Sequence, residues 1–210
     1  MTAHDLTMGV VLRTAWWGVL SSAAAPVLLI GGWTLAAALQ PAGFDSATET
    51  ISALAARGAQ DRWVMTTALA GLGVCHGVTA ASLRPAAAAG RVLLGLGGAA
   101  TVLVALLPLP ADQGGSRAHT VAAALALTSL AAWPALAWRR RPPVVWVLRP
   151  AVGAGAAVLL LGSLGWLFAE LLADGERIGL AERVAAGSQA LWPLAVVAAT
   201  RRDRSLRVPS

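Results

Sequence analysis

Eight polar residues could carry chemistry in this chain. Asp45, Glu49, Ser52 and Arg57 share one short connection, Asp112 and His119 fall in a second, and Glu182 and Arg183 are adjacent in a third. Carboxylates, a hydroxyl, an imidazole and guanidinium groups together suit hydrogen-bonded recognition of a small or lipid-like ligand. Asp112, His119 and Glu182 also have the residue types of an acid–base or metal site. Ser52 and His119 could act as nucleophile and base. The spacing argues against catalysis. Only three histidines exist, one of them His4 near the amino terminus, and neither an HExxH pattern nor a nucleophile elbow is present. Cys75 is the single cysteine, so an intrachain disulfide and a cysteine metal cluster are both excluded. The expectation is a binding site with no metal and no cofactor, and more binding protein than enzyme.

The elements that must position these residues are membrane elements. The chain is 57% hydrophobic and only 12% charged, and most charges cluster between long apolar runs. A bilayer core about 30 Å thick needs roughly 20 apolar residues per spanning helix. Six segments qualify: residues 14–39, 62–83, 90–107, 118–138, 150–173 and 181–200. Little remains for a soluble domain. Lipid offers the backbone no partner, so spanning segments of this kind are helices. The expected fold is all-α, one transmembrane domain over residues 1–210 built as a six-helix bundle. The first run is too long for a cleaved secretory signal.

All sixteen basic residues are arginine, and eleven fall on one side when six spans are threaded. The bias places both termini in the cytoplasm and the odd-numbered loops outside. Trp16, Trp17, Trp138 and Trp146 mark the inner interface, and Trp63 the outer one. The basic charge is therefore membrane topology, and nucleic acid is not an expected partner. Membrane lipid is. Gly73 and Gly77 form a GxxxG, and Gly95, Gly97 and Gly98 crowd the next span. Such small faces serve either an internal seam or a homo-oligomer, and the internal seam is the commoner use.

The connection from Gly43 to Trp63 is far more polar than its neighbours. Ser46 and Glu49 fit a capping box, Asp45 adds charge at the same helix end, and Gly58 can stop the helix. The pattern predicts a helix of about eleven residues, near 16 Å long. That is too short to span, so an interfacial helix between spans one and two is expected, with Ile51 and Leu54 on its apolar stripe. Glu170, His76, Ser188 and Gln189 lie inside spans, where polar groups are costly and often functional. A single deep histidine such as His76 is more often a packing residue.

Asp45, then Thr50-Ile51-Ser52-Ala53-Leu54 and Arg57-Gly58-Ala59, resemble the signature of a bacterial membrane family, domain of unknown function 998. Pro110-x-Asp112 with His119, and Gly179-Leu180-Ala181-Glu182-Arg183 before Trp192-Pro193, are similar to its other segments. The likeness runs from about residue 15 to 200. It implies six spans in a bacterial inner membrane and no established activity. It selects the same outer-side residues that charge selects.

Three functions stay open. The first is binding or transport of a small or lipid-like ligand in an extracytoplasmic-side polar cavity. The second is structural, with the outer charges as an internal ion-pair lock. The third is an intramembrane hydrolase.

Overall fold

A computed structural model describes residues 14–111, 115–140 and 144–202. The elements, in chain order, are α1 (Trp16–Ala38), α2 (Ile51–Leu54), α3 (Trp63–Ser82), α4 (Ala88–Leu106), α5 (Arg117–Leu136), a 3-10 turn (Trp146–Leu148), α6 (Pro150–Leu172) and α7 (Ile178–Arg202). The described residues are thus an all-α bundle. The long helices follow one another around a ring. α3 packs on α1 and α4, α4 on α5, α5 on α6, α6 on α7, and α7 returns to α1.

The six-helix expectation is corrected on two counts. Among the described residues there are seven α-helices, and five of them are long and apolar enough to cross a membrane: α1, α3, α4, α5 and α6. α7 is 25 residues long but carries Glu182 and Arg183 near its start, Ser188 and Gln189 at its middle, and Arg201 and Arg202 at its end. Its sequence is too polar to count with the other five. The expected eleven-residue interfacial helix is also absent. Between α1 and α3 only the four-residue α2 is helical, and the 3-10 turn lies between α5 and α6 instead.

Local competition explains the shortening. Asp45 Oδ1 accepts the Ala47 N–H at 2.8 Å, and the Glu49 side chain accepts the Asp45 N–H at 3.3 Å. The Asp45–Glu49 stretch therefore closes on itself as a turn, the usual alternative that such side chains offer the backbone. Helix begins only after Thr50, whose Oγ1 accepts the Ala53 N–H at 3.0 Å. The stripe does not rest on a surface either. Ile51 and Leu54 are buried and join a cluster with Leu29, Met65, Leu69 and Leu72. α2 is a plug in the mouth of the bundle.

Glycine sets the closest helix approach. A Cβ on Gly98 would stand 2.6 Å from the Gly73 carbonyl oxygen, and one on Gly73 would stand 2.5 Å from the Gly98 oxygen. The GxxxG glycine Gly73 therefore serves a seam between α3 and α4 within the chain. Leucines and valines such as Leu20, Val158, Leu159 and Leu172 stay exposed on the outer surface, as a lipid-facing wall requires. At the end of the bundle opposite α2, arginines satisfy free carbonyls. Arg91 donates to Ala80 and Ala81, and Arg139 donates to Arg84, Pro85 and Ala86.

Candidate functional site

The start of α7 clasps the segment that leads into α2. Leu180 N–H donates to the Ala47 carbonyl at 2.9 Å. The approach needs glycine at 179, because a Cβ there would stand 2.7 Å from the Ser46 oxygen and 2.8 Å from the Glu49 carbonyl carbon. Arg183 Nη1 donates to the carbonyls of Ser46 and Glu49, each at 2.7 Å, and to its own helix at Gly179, 3.0 Å. Glu182 takes the complementary groups. One carboxylate oxygen accepts the Ile51 N–H, and the other accepts from Ser52 Oγ at 3.1 Å. Neighbouring residues of one helix thus bind the acceptors and the donors of a single short segment.

His119 approaches from α5. Ser116 caps that helix, its Oγ accepting the His119 N–H at 3.4 Å. The buried ring bridges two elements: Nδ1 lies 2.8 Å from the Leu107 carbonyl and Nε2 lies 3.2 Å from Ser52 Oγ. A carbonyl only accepts, so Nδ1 carries a hydrogen. Nε2 then faces a hydroxyl that owns one hydrogen and touches two candidate acceptors. Both Ser52 contacts are hydrogen bonds at once only if one more proton is present. It sits on His119 Nε2, with Ser52 donating to Glu182, or on Glu182, with Ser52 donating to His119. The Glu182–Ser52–His119 chain is therefore continuously hydrogen-bonded only in a singly protonated form.

Two cavities meet at this chain. The outer one is a groove of about 210 Å³. Thr50, Ser52, His119 and Glu182 form its polar end, and Leu127, Leu167, Phe168 and Leu171 line the rest. Phe168 and Leu171 are about half exposed on the outer face of α6, so the groove opens sideways. The inner one is a chamber of about 60 Å³ that shares Ser52, Ala123, Leu127 and Glu182 with the groove. It reaches His76 on α3, Thr101 on α4 and Gln189 on α7. His76 and Gln189 are each 1% exposed, yet neither ring nitrogen and neither amide atom has a hydrogen-bond partner among the described residues.

The structure brings Ser52, His119, Glu182 and Arg183 together and leaves other expected residues apart. The Asp45 side chain is exposed on its own turn, and Glu49 lines a separate cleft with Gln40 and Phe44. The Arg57 side chain is exposed, while its N–H donates to the Leu109 carbonyl at 2.9 Å. Glu170 closes a local turn by accepting from Trp166 Nε1 and the Arg177 N–H. Asp112 lies outside the described residues. Thr50, Thr101 and the Leu107 carbonyl belong to the site and were not picked from the sequence. Thr50 could have been, since a threonine immediately before an apolar helical turn is an N-cap signal. Nothing in the sequence marks a particular backbone carbonyl. Among the described residues no group of three or more His, Cys, Asp or Glu could hold a metal ion.

No curated protein and no solved structure matches the chain. The family described as "Protein of unknown function (DUF998)" matches residues 22–199, nearly the whole helical bundle and every residue of the clasp and the two cavities. The chain belongs to that family, as a helix-rich, multi-span membrane member of it.

Proposed function

We propose that the protein binds an amphiphilic, lipid-like ligand in the outer groove, with the ligand's polar head on the Ser52–His119–Glu182 chain. The observation that carries this reading is the groove's lateral opening past Phe168 and Leu171, with a mostly apolar lining that includes the polar Ser52, His119 and Glu182. An acyl chain enters such a groove from the bilayer without crossing water. A pocket of a few hundred Å³ with few polar groups is the usual form of a small-molecule site. The chain is one transmembrane domain in a bacterial inner membrane. Both termini are cytoplasmic and the clasp faces outward, following the arginine bias: although α7 is more polar than the other five, it runs back along α1 and brings Thr200 Oγ1 within 3.0 Å of Thr14 Oγ1, on the side where α1 starts.

The test is thermal unfolding of the purified protein in nanodiscs with single-chain amphiphiles. A ligand at 100 times its Kd adds about 2.7 kcal/mol, which for a chain of this size raises Tm by about 5–10 °C. Ala124→Phe fills the groove from α5 and abolishes the rise. A rise that survives Ala124→Phe places the ligand elsewhere.

A structural role has its own support in the clasp, because Arg183 and Leu180 bond the segment directly. The two roles are compatible, since a clasp that fixes Ser52 also builds the groove. A hydrolase has less support. His119 is oriented as a base, but Glu182 sits on the Ser52 oxygen and would oppose the negative charge of a tetrahedral intermediate.

A further inference from the structure

Two polar side chains of the inner chamber remain without a role. His76 and Gln189 come from helices that face each other across the bundle, and both line the inner chamber. Each is 1% exposed, and their four polar atoms have no hydrogen-bond partner among the described residues. Buried polar atoms without partners are costly in any protein interior and are kept where something is gained. Here they line a chamber that shares Ser52, Ala123, Leu127 and Glu182 with the groove.

We propose that the inner chamber is the head-group subsite of the groove, and that it selects a neutral, hydroxyl-bearing head. The inference rests on the amphiphile reading above and adds the chemistry of the head. The chamber's volume of about 60 Å³ suits a head of a few heavy atoms. Its partners are mixed. The Gln189 amide both donates and accepts, the His76 ring does the same in its neutral form, and Thr101 Oγ1, which donates to Gly97 at 2.8 Å, still accepts. A hydroxyl also donates and accepts, so each hydroxyl of a small polyol finds complementary groups. Charged heads fit worse. No arginine lines the chamber to pair with a phosphate or carboxylate. An ammonium group meets only Glu182, whose oxygens are already engaged by Ile51 and Ser52.

The experiment uses three probes with one dodecyl chain: 1-O-dodecylglycerol, dodecyl phosphate and dodecylammonium. Binding of each is measured to the full protein in nanodiscs, for wild type, His76→Phe and Gln189→Leu. The expected result is that the glycerol ether binds about tenfold or more tightly than the charged probes, and that each substitution removes most of that preference while leaving the charged probes unchanged. Without ligand, both variants unfold at a temperature equal to or above wild type, because a polar group without a partner has been removed. Equal binding of all three probes, lost together in Ala124→Phe, overturns the head-group inference and keeps the groove. Preference for the phosphate or the ammonium overturns the inference as well. No binding by any probe overturns both readings. Lower unfolding temperatures in the unliganded variants overturn the inference from the other side, since His76 and Gln189 would then be structural.

Discussion

Replacing Glu182 by glutamine and by leucine separates the two things this residue does. In wild type its carboxyl group accepts the Ile51 N–H and pairs with Ser52, and the chain to His119 needs one shared proton to be complete. Glutamine supplies that hydrogen itself. Its carbonyl oxygen accepts from Ile51, its amide donates to Ser52, and Ser52 then donates to His119 Nε2. Every contact is kept with no charge at position 182. The loss is small because the hydrogen bonds of residue 182 are kept and Arg183 keeps its own three carbonyl partners. Glu182→Gln should therefore unfold within about 1 kcal/mol of wild type. Leucine keeps the volume and loses both acceptors. Ser52 retains His119, but the Ile51 amide at the start of α2 is left without a partner, and a lost hydrogen bond to a charged group costs about 3 kcal/mol. For a chain of this length that lowers Tm by about 6–12 °C. The assay is thermal unfolding of the three proteins in one detergent. 15N spectra of the chain's three histidines should report His119 as the Nδ1–H tautomer in Glu182→Gln. Equal destabilisation by both substitutions would refute the hydrogen-bond count and make the Glu182 charge itself the stabilising element, through its neighbour Arg183.

Two further outcomes test the bundle and its orientation. Gly98→Val should cost about 3 kcal/mol or more, because its Cβ would stand 2.6 Å from the Gly73 oxygen and a backbone has no room to yield. Gly77→Ala, with nothing within 4 Å of its Cβ, should leave unfolding unchanged, and equal losses would place the seam elsewhere. In a Cys75→Ser background, exposed Gln60→Cys should react with an impermeant maleimide in intact cells, and exposed Arg84→Cys only after lysis. The reverse pattern would invert the proposed orientation.

Much of the fold is legible because a bilayer imposes simple demands. Apolar run length predicts the helices, and α1, α3, α4, α5 and α6 fall within a few residues of the expected segments. The same criterion overcounts at α7, where polar residues needed by the clasp and the chamber dilute the apolar run. It also misreads the segment before α2. A capping box and an apolar stripe describe a helix in isolation, whereas Asp45 and Glu49 turn the chain back before one can start.

For the site, the sequence determined residue type and rough depth: Ser52, His119 and Glu182 fall near one end of the bundle, and His76 and Gln189 fall deeper. Tertiary structure decided which of them meet. Glu182 reaches Ile51 across 131 positions, and His119 reaches Ser52 across 67. Periodicity says nothing about such distances, because it describes one helix at a time. Asp45 and Arg57 carry the same charged groups as Glu182 and Arg183 and share the loop of Ser52, yet their side chains stay exposed. Whether a polar group has a partner depends on what the neighbouring helices place opposite it. That information lies in the packing, and it separates the satisfied Glu182 from the unsatisfied Gln189 about two turns further along the same face of α7.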